Sequence, residues 1–150
     1  MSDTQQQQQK FDDTDPSREI GVDPKKHPLY KDLETKPNSP FYEEELVDIW
    51  LFTVGYGRQH GQREPLPGNK KWMVRMTSLD DDAEWIVKSV AIKETGTTDV
   101  LIDGKEVFKI AQEYANSGIE LLHDEVTNSD SDSLSELTAD VVRTFRGYNE

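Results

Sequence analysis

A short run of an aspartate, a glycine and a lysine is the part of the sequence that most resembles a catalytic pattern. Asp103-Gly104-Lys105 directly follows the apolar run Val100-Leu101-Ile102. Some metal-dependent nucleases place an acid, one spacer and a lysine at the end of a strand, and an upstream acid completes the site for a divalent ion. Asp82 or Asp99 could be that upstream acid. The same aspartate also begins a capping box with Glu106, so a turn into a helix is the simpler interpretation.

The other titratable residues show no spacing that is typical of a metal site or of a catalytic centre. The three histidines, His27, His60 and His123, lie far apart, and none has a second histidine at helical spacing. Asp80-Asp81-Asp82 stands where acids stabilise the first turn of a helix. The chain has no cysteine, which excludes disulfides and thiolate ligands. We expect no metal and no cofactor, and we interpret the protein as non-catalytic.

A basic segment within an acidic chain is the best indication of a binding function. The segment Tyr56–Met76 contains five lysines or arginines and one acid, a net charge of +4 in a chain of net charge −13, so the other residues carry −17. Proline and glycine keep much of it out of regular structure, and loops on a rigid scaffold often carry binding residues. Its side chains could contact phosphates and bases, contact a partner protein, or pair with the chain's own acids. The candidate binding residues of this basic loop are Tyr56, Arg58, His60, Arg63, Lys70, Lys71, Trp72 and Arg75.

The composition divides the chain into a core and two solvated ends. Apolar residues make up 33% of the chain, and residues 1–40 are rich in glutamine, aspartate and proline. We expect a disordered acidic arm over residues 1–40, a helical core domain over residues 41–127, and a linker with a C-terminal amphipathic helix over residues 128–150. No run is long and apolar enough for a signal sequence or a membrane span, so we expect a cytoplasmic protein without membrane contact. The oligomeric state stays open.

Three helices must position the basic loop. The first is almost wholly apolar, begins near Phe41 and ends at Gly55 or Gly57, because glycine accepts the left-handed conformation of a helix end. The second spans Asp80 to Thr95. The third follows Asp103, with a kink or break at Asn116-Ser117-Gly118.

The fold class that follows is mainly α, a small single helical domain with room for one short strand or hairpin. Lys71–Met76 has the alternation of a short strand, but it could equally be the start of the next helix. Trp50 and Trp85 both lie among apolar neighbours at helical spacing, so both are expected in the core.

The stretch from Phe41 to Glu125 resembles the Dnd system-associated proteins, small proteins encoded beside DNA phosphorothioation (Dnd) modification and restriction systems. The likeness rests on a spread of structural residues and contains no catalytic motif. The segments that carry it are Val54-Gly55-Tyr56-Gly57, Gly61-Gln62-Arg63-Glu64-Pro65-Leu66, Ala91-Ile92-Lys93-Glu94-Thr95-Gly96, Val100-Leu101-Ile102-Asp103 and Glu113-Tyr114-Ala115-Asn116-Ser117-Gly118-Ile119-Glu120-Leu121-Leu122.

The resemblance implies a part in DNA phosphorothioation, and so in restriction-modification and antiviral defence, but it implies no established activity. We therefore expect a non-catalytic accessory protein of such a system. Its basic loop would contact a partner protein of the same complex, which is the outcome we expect, or DNA. Two alternatives stay open: a small metal-dependent nuclease centred on Asp103 and Lys105, and an acidic inhibitor that mimics DNA.

Overall fold

Four α-helices and a two-stranded antiparallel sheet form residues 19–128, which are the residues that the computed structural model describes. The prediction of a mainly α fold with a short strand pair is confirmed. A short 3₁₀ turn precedes each of the last two helices: Met76–Ser78 lies before the third helix and Thr98–Ile102 before the fourth. In chain order the main elements are β1 (Glu19–Val22), α1 (His27–Thr35), α2 (Leu46–His60), β2 (Lys71–Arg75), α3 (Asp81–Thr95) and α4 (Gly104–Asn128).

Helix α2 is the central element, as its apolar sequence predicts. The side chains of Ile49, Trp50 and Val54 are fully buried. The helix begins at Leu46 and not near Phe41, because the preceding turn contains Glu43 with a φ angle of 63°. That left-handed conformation cannot be part of a right-handed helix.

The prediction that α2 ends at Gly55 or Gly57 is wrong, and α4 has no break at residues 116–118, for a shared reason. Helix α2 runs on to His60, and α4 is one helix of 25 residues. A Cβ atom at Gly57 would lie 2.0 Å from the carbonyl oxygen of Tyr114, and one at Gly118 would lie 2.4 Å from the carbonyl oxygen of Thr53. These glycines therefore serve the close approach of α2 and α4 and do not end a helix.

Helix α3 has the predicted ends, and its buried face is narrow. The carboxylate of Asp80 accepts a hydrogen bond from the N–H of Ala83 at 2.8 Å, and Gly96 ends the helix with a φ angle of 77°. The buried stripe contains only Ala83, Val87 and Ala91. Trp85 lies opposite this stripe and is 54% exposed, so its assignment to the core is wrong, whereas that of Trp50 is confirmed.

The core also includes residues 19–40, which composition alone assigns to the disordered arm. Strand β1 pairs with β2, and its Ile20 is fully buried. In α1, Tyr30 and Leu33 are buried against the other helices, one helical turn apart. Pro28 lies in the first turn of α1, where a proline costs no hydrogen bond, so it is compatible with the helix. The core therefore begins well before residue 41.

The remaining predictions for the chain ends fall outside the described residues. These are the first 18 residues of the acidic arm predicted over residues 1–40, and the linker with the C-terminal amphipathic helix predicted over residues 128–150, of which residue 128 alone is described. Within residues 19–128, none of the helices combines the length and the apolar character that a membrane crossing requires.

Candidate functional site

The eight candidate residues of the basic loop do not form one surface. The structure distributes them over three environments, which differ in what surrounds each side chain. The first is an aromatic row on α2, the second a set of acids on α3 and α4, and the third the exposed side of β2. The respective members are Tyr56 and His60; Arg58 and Arg63; and Lys70, Lys71, Trp72 and Arg75.

Tyr56 and His60 continue a row of rings along α2 at intervals of four residues. The ring centroids of Phe52 and Tyr56 are 6.2 Å apart, and those of Tyr56 and His60 are 4.4 Å apart. Burial, followed by the nearby charge of Glu125, raises the pKa of Tyr56. These contacts run along α2 and join residues of the same helix, so the rings of Tyr56 and His60 are already in contact with each other.

Arg63 is held by carboxylates that come from α3 and α4. Its Nε donates to Glu113 at 2.8 Å, its Nη1 donates to Glu94 at 3.3 Å, and its Nη2 lies 3.9 Å from Glu106. Burial lowers the pKa of Arg63, but the hydrogen bonds to Glu113 and Glu94 outweigh this effect and keep the pKa above its ordinary value. Its guanidinium is therefore engaged within the protein.

Arg58 joins the same region through an aromatic ring. Its guanidinium carbon lies 5.6 Å from the ring centroid of Tyr114, within the range of a cation–π contact. The Tyr114 hydroxyl donates a hydrogen bond to Glu94. That bond is the main cause of the lowered pKa of Glu94, with a further contribution from Arg63 against the opposing effect of burial. Arg58 therefore contacts a ring that is bonded to Glu94, whereas Arg63 contacts carboxylates directly.

The first half of the basic loop is fixed on α4 by its backbone. The N–H of Glu64 donates to the carbonyl of Glu113 at 3.1 Å, and the amide of Asn116 donates to the carbonyls of Glu64 and Pro65. Lys26, which comes from the segment before α1, donates to the Glu64 carboxylate at 2.9 Å and lies 2.6 Å from the Glu120 carboxylate. The loop is therefore a rigid support for the residues that follow it.

A cleft of about 480 Å³ lies between the start of β2 and the first turns of α4. We call it the lysine cleft. Pro65 and Leu66 of the basic loop contribute to its lining, and Glu19 and Glu113 are its two acids. The residues that define it are Lys70 and Trp72 on one side and Lys105, Phe108 and Lys109 on α4.

More basic than acidic side chains line the lysine cleft. Glu113 is paired with Arg63, and the carboxylate of Glu19 lies 3.9 Å from Nε of Arg75. Each lining carboxylate thus has an arginine partner, while three lysines line the same cleft. Lys71 and Arg75 are exposed and do not line it; Lys71 adds to burial in lowering the pKa of His27.

The exposure of Trp72 results from an irregular register of the sheet. Ile20 pairs with Val74, but the next residue of β1, Gly21, pairs with Trp72, so one residue of β2 is left without a partner. Such a bulge changes the direction of the side chains around it. Val74 is buried, whereas Trp72 is 48% exposed.

The sequence does not identify two of the cleft's lysines as binding residues. Lys105 is part of the nuclease pattern only, and Lys109 belongs to no predicted site. The signal is present, since Lys105, Phe108 and Lys109 lie three and four residues apart and so share one face of α4. The sequence does not indicate that this face of α4 lies opposite Lys70.

The geometry gives no support to the nuclease alternative. The Asp103 carboxylate accepts hydrogen bonds from the N–H groups of Lys105 at 3.1 Å and Glu106 at 3.3 Å, which is the arrangement of a helix cap. Across residues 19–128, no three side chains among histidines and acids are grouped so that they could hold a metal ion.

Comparison with known families gives one result. Residues 20–146 of the 150-residue chain match the profile of the family described as DNA sulphur modification system-associated protein 4. The match is longer than the stretch from Phe41 to Glu125 and includes all of α1 and all of β1 except Glu19. Neither a curated protein nor a solved structure matches the chain.

Proposed function

The chain belongs to the DNA sulphur modification system-associated protein 4 family, and from this premise we propose that it is a non-catalytic accessory protein that contacts DNA through the lysine cleft. The association with a DNA sulphur modification system comes from the family. The DNA contact, the cytoplasmic location and a part in restriction and antiviral defence belong to the proposal. The proposed DNA contact is supported by one observation: three lysines lie beside an exposed tryptophan in a chain of net charge −13.

The residue types that remain exposed favour DNA over a partner protein as the ligand. Protein interfaces are enriched in arginine and depleted in lysine. Arg58 and Arg63, which would suit a protein contact, face the chain's own acids and an aromatic ring. Lysines suit the phosphate backbone, because each one that neutralises a phosphate releases a condensed counterion. The partner-protein contact that the sequence favours becomes the second candidate.

The net charge of the whole chain decides how the contact is made. A molecule of net charge −13 repels a polyanion at long range, so the free protein binds DNA weakly. At about 0.1 M salt the Debye length is about 10 Å. Salt therefore screens the repulsion between distant acids and DNA more strongly than the attraction between the cleft lysines and phosphates in direct contact with them. The cleft therefore acts on DNA that other components of the system already hold.

The test compares two triple variants of equal charge. In the cleft variant Lys70, Lys105 and Lys109 are changed to Gln. In the control variant the exposed lysines Lys25, Lys36 and Lys93, none of which lines the cleft, are changed to Gln. Each tagged protein is crosslinked in cells that contain the complete system, and the recovered DNA and proteins are measured with and without nuclease treatment.

We expect the wild type and the control variant to recover DNA and the cleft variant to lose most of it, with equal melting temperatures for all three. Equal DNA recovery by the two variants would contradict the proposal. If a partner protein is retained after nuclease treatment and is lost only in the cleft variant, the cleft contacts protein and the second candidate is correct.

A further inference from the structure

We propose that the lysine cleft holds an unpaired nucleotide of single-stranded DNA, with its base stacked on Trp72 and its phosphates beside Lys105 and Lys109. This inference rests on the proposed function and specifies its ligand. It follows from the size of the cleft, from the support behind Trp72 and from the spacing of the lysines.

The size of the cleft fits a nucleotide and not a duplex. Pockets for small ligands have volumes of roughly 300–1,000 Å³, and the volume of about 480 Å³ lies within that range. In a duplex the faces of the bases are stacked on one another, so an aromatic side chain reaches a face only when the base is unstacked. A concave site with an aromatic ring at its edge therefore selects an unpaired base.

Trp72 has the support that a stacking platform requires. A Cβ atom on Gly21 would lie 3.2 Å from Cζ3 of Trp72 and 2.9 Å from Cδ of Lys70. The indole therefore rests against the bare backbone of β1, and that backbone is fixed in turn because the N–H of Gly21 donates to Oε1 of Gln112 on α4 at 2.7 Å. A ring held on one side and exposed over about half of its surface can accept a base without rearrangement.

Trp85 shows that exposure alone does not make such a platform. It is 54% exposed, slightly more than Trp72, but Nζ of Lys88 lies 4.9 Å from the centroid of its ring. That face is occupied by a cation from the same helix. Trp85 also does not line the lysine cleft, so it provides a matched control on the same protein.

The lysines of the cleft are placed to follow a single strand. Lys105 and Lys109 are four residues apart on α4, which separates them by about 6 Å along the helix axis. Lys70 belongs to the opposite side of the cleft, next to Trp72. Positive groups on both sides of a groove, together with an aromatic ring on one of them, are the combination found where proteins bind single strands without sequence preference.

An acidic peptide is the ligand of comparable charge that the test must separate from a nucleotide. It would use the same lysines, but it has no flat ring to stack on an indole. The contribution of Trp72 therefore distinguishes the two ligands, and the contribution of the lysines does not.

The experiment measures the binding of labelled oligothymidylate of about 12 nucleotides, within the usual range of site sizes, to the purified full chain at about 0.1 M salt. Duplex DNA of equal length and poly-glutamate serve as competitors. Four proteins are compared: the wild type, Trp72→Leu, Trp85→Leu and Lys105→Gln/Lys109→Gln. Melting temperatures show that each variant is folded.

We expect the single strand to bind more tightly than the duplex and poly-glutamate to compete poorly. Trp72→Leu should weaken binding about tenfold, which corresponds to the stacking of one base, and leave its salt dependence unchanged. The double lysine variant should reduce the slope of log affinity against log salt by about 1.4, because each phosphate contact on a single strand contributes about 0.7. Trp85→Leu should bind like the wild type.

Three results would overturn the inference: duplex binding as tight as single-strand binding, equal affinity of the Trp72 and Trp85 variants, or full competition by poly-glutamate. If the duplex binds equally well and only the lysine variant is weakened, the proposed DNA contact stands and the nucleotide site does not exist. If no DNA binds the purified chain, the nucleotide site does not exist, and if recovery from cells is also independent of the cleft lysines, both proposals fail.

Discussion

The arginines and the lysines of the basic loop differ in what surrounds them, although the sequence presents them as one group. Arg63 contacts carboxylates on two helices, and Lys70 stands at the edge of a cleft. Arginine is suited to the first position because its planar donors can bind several carboxylates at once. The net charge of a segment therefore overstates the charge that it presents to a ligand.

The two tryptophans Trp50 and Trp85 give a direct test of burial at the residue scale. Trp50 is fully buried, so Trp50→Ala should lower the free energy of unfolding by about 3–5 kcal/mol. Trp85 is 54% exposed, so Trp85→Ala should change the free energy of unfolding by less than about 0.5 kcal/mol. Chemical denaturation of both variants measures the difference. Equal losses would place Trp85 in the core, contrary to the structure.

Acid should destabilise the protein through Glu94. The hydrogen bond from Tyr114 and the charge of Arg63 hold the pKa of Glu94 below its ordinary value, so its ionised form stabilises the folded state. That stability is complete above the unfolded pKa of about 4.3 and is lost as the pH falls through the lower folded pKa. Glu94→Gln should therefore lose less stability than the wild type as the pH falls from about 4.3 through the lower folded pKa.

The matched control for Glu94 is the exposed Asp99, changed to Asn. Urea denaturation at a series of pH values measures the free energy of unfolding of all three proteins. If the curve of Glu94→Gln falls as steeply with acid as those of the wild type and Asp99→Asn, the contacts of Glu94 with Tyr114 and Arg63 do not contribute to stability.

At the scale of the elements, the crossing of α2 and α4 determines where the basic loop can lie. The loop leaves the end of α2 and is bound along α4 by the backbone of Glu64 and by the amide of Asn116. The close approach at Gly57 and Gly118 brings these two helices into contact just before the loop begins. The lysine cleft therefore depends on two glycines that do not line it.

Substitution of the glycines of α2 and α4 by alanine should separate packing from helix propensity. Gly57→Ala and Gly118→Ala each place a Cβ atom against backbone atoms of the other helix, and each should cost about 1–3 kcal/mol of stability. Gly55 lies on the same helix as Gly57 with no atom within 4 Å of its Cβ position, so Gly55→Ala should be neutral or stabilising by up to about 1 kcal/mol.

Thermal and chemical denaturation of the three glycine variants measures these effects. The effects of Gly57→Ala and Gly118→Ala should not add in the double variant, because the two positions contact each other. A neutral Gly57→Ala variant would show that α2 and α4 are farther apart than the structure places them.

At the scale of the whole molecule, the core reaches further toward the N-terminus than composition indicates. Lys26 illustrates this, because it is only 9% exposed and binds Glu64, Glu120 and the carbonyl of Asn116. Burial lowers the pKa of Lys26, but the bonds to Glu120 and Glu64 outweigh it and keep the pKa above its ordinary value. The segment before α2 thus holds the basic loop in place as well as completing the core.

Two N-terminal deletions test this boundary. Residues 1–18 are rich in glutamine and aspartate and contain few apolar residues, so their removal should leave the melting temperature nearly unchanged. Removal of residues 1–36 takes away β1, α1 and the buried side chains of Ile20, Tyr30 and Leu33. Each such side chain contributes about 1.5–3 kcal/mol to a total stability of about 5–15 kcal/mol, so the cooperative transition should be lost. Retention of that transition would return the core boundary to residue 41.

The sequence by itself determined the features that depend on neighbours within a few residues. The cap of α3 at Asp80, its end at Gly96, the cap at Asp103 and the buried face of α2 follow from local hydrogen bonding and from apolar spacing. The family resemblance also came from the sequence, and the family match confirms it.

Only the tertiary structure decided which distant residues meet. Gly57 is a helix end by its local chemistry, and the approach of α4, more than fifty residues away, is what keeps it inside α2. Arg63 and Lys70 carry the same charge, but their surroundings differ. Acids surround Arg63, whereas Lys70 lines a cleft together with Lys105. Such pairings depend on how the helices pack, and packing energy is set by the shapes of whole faces and not by any segment alone.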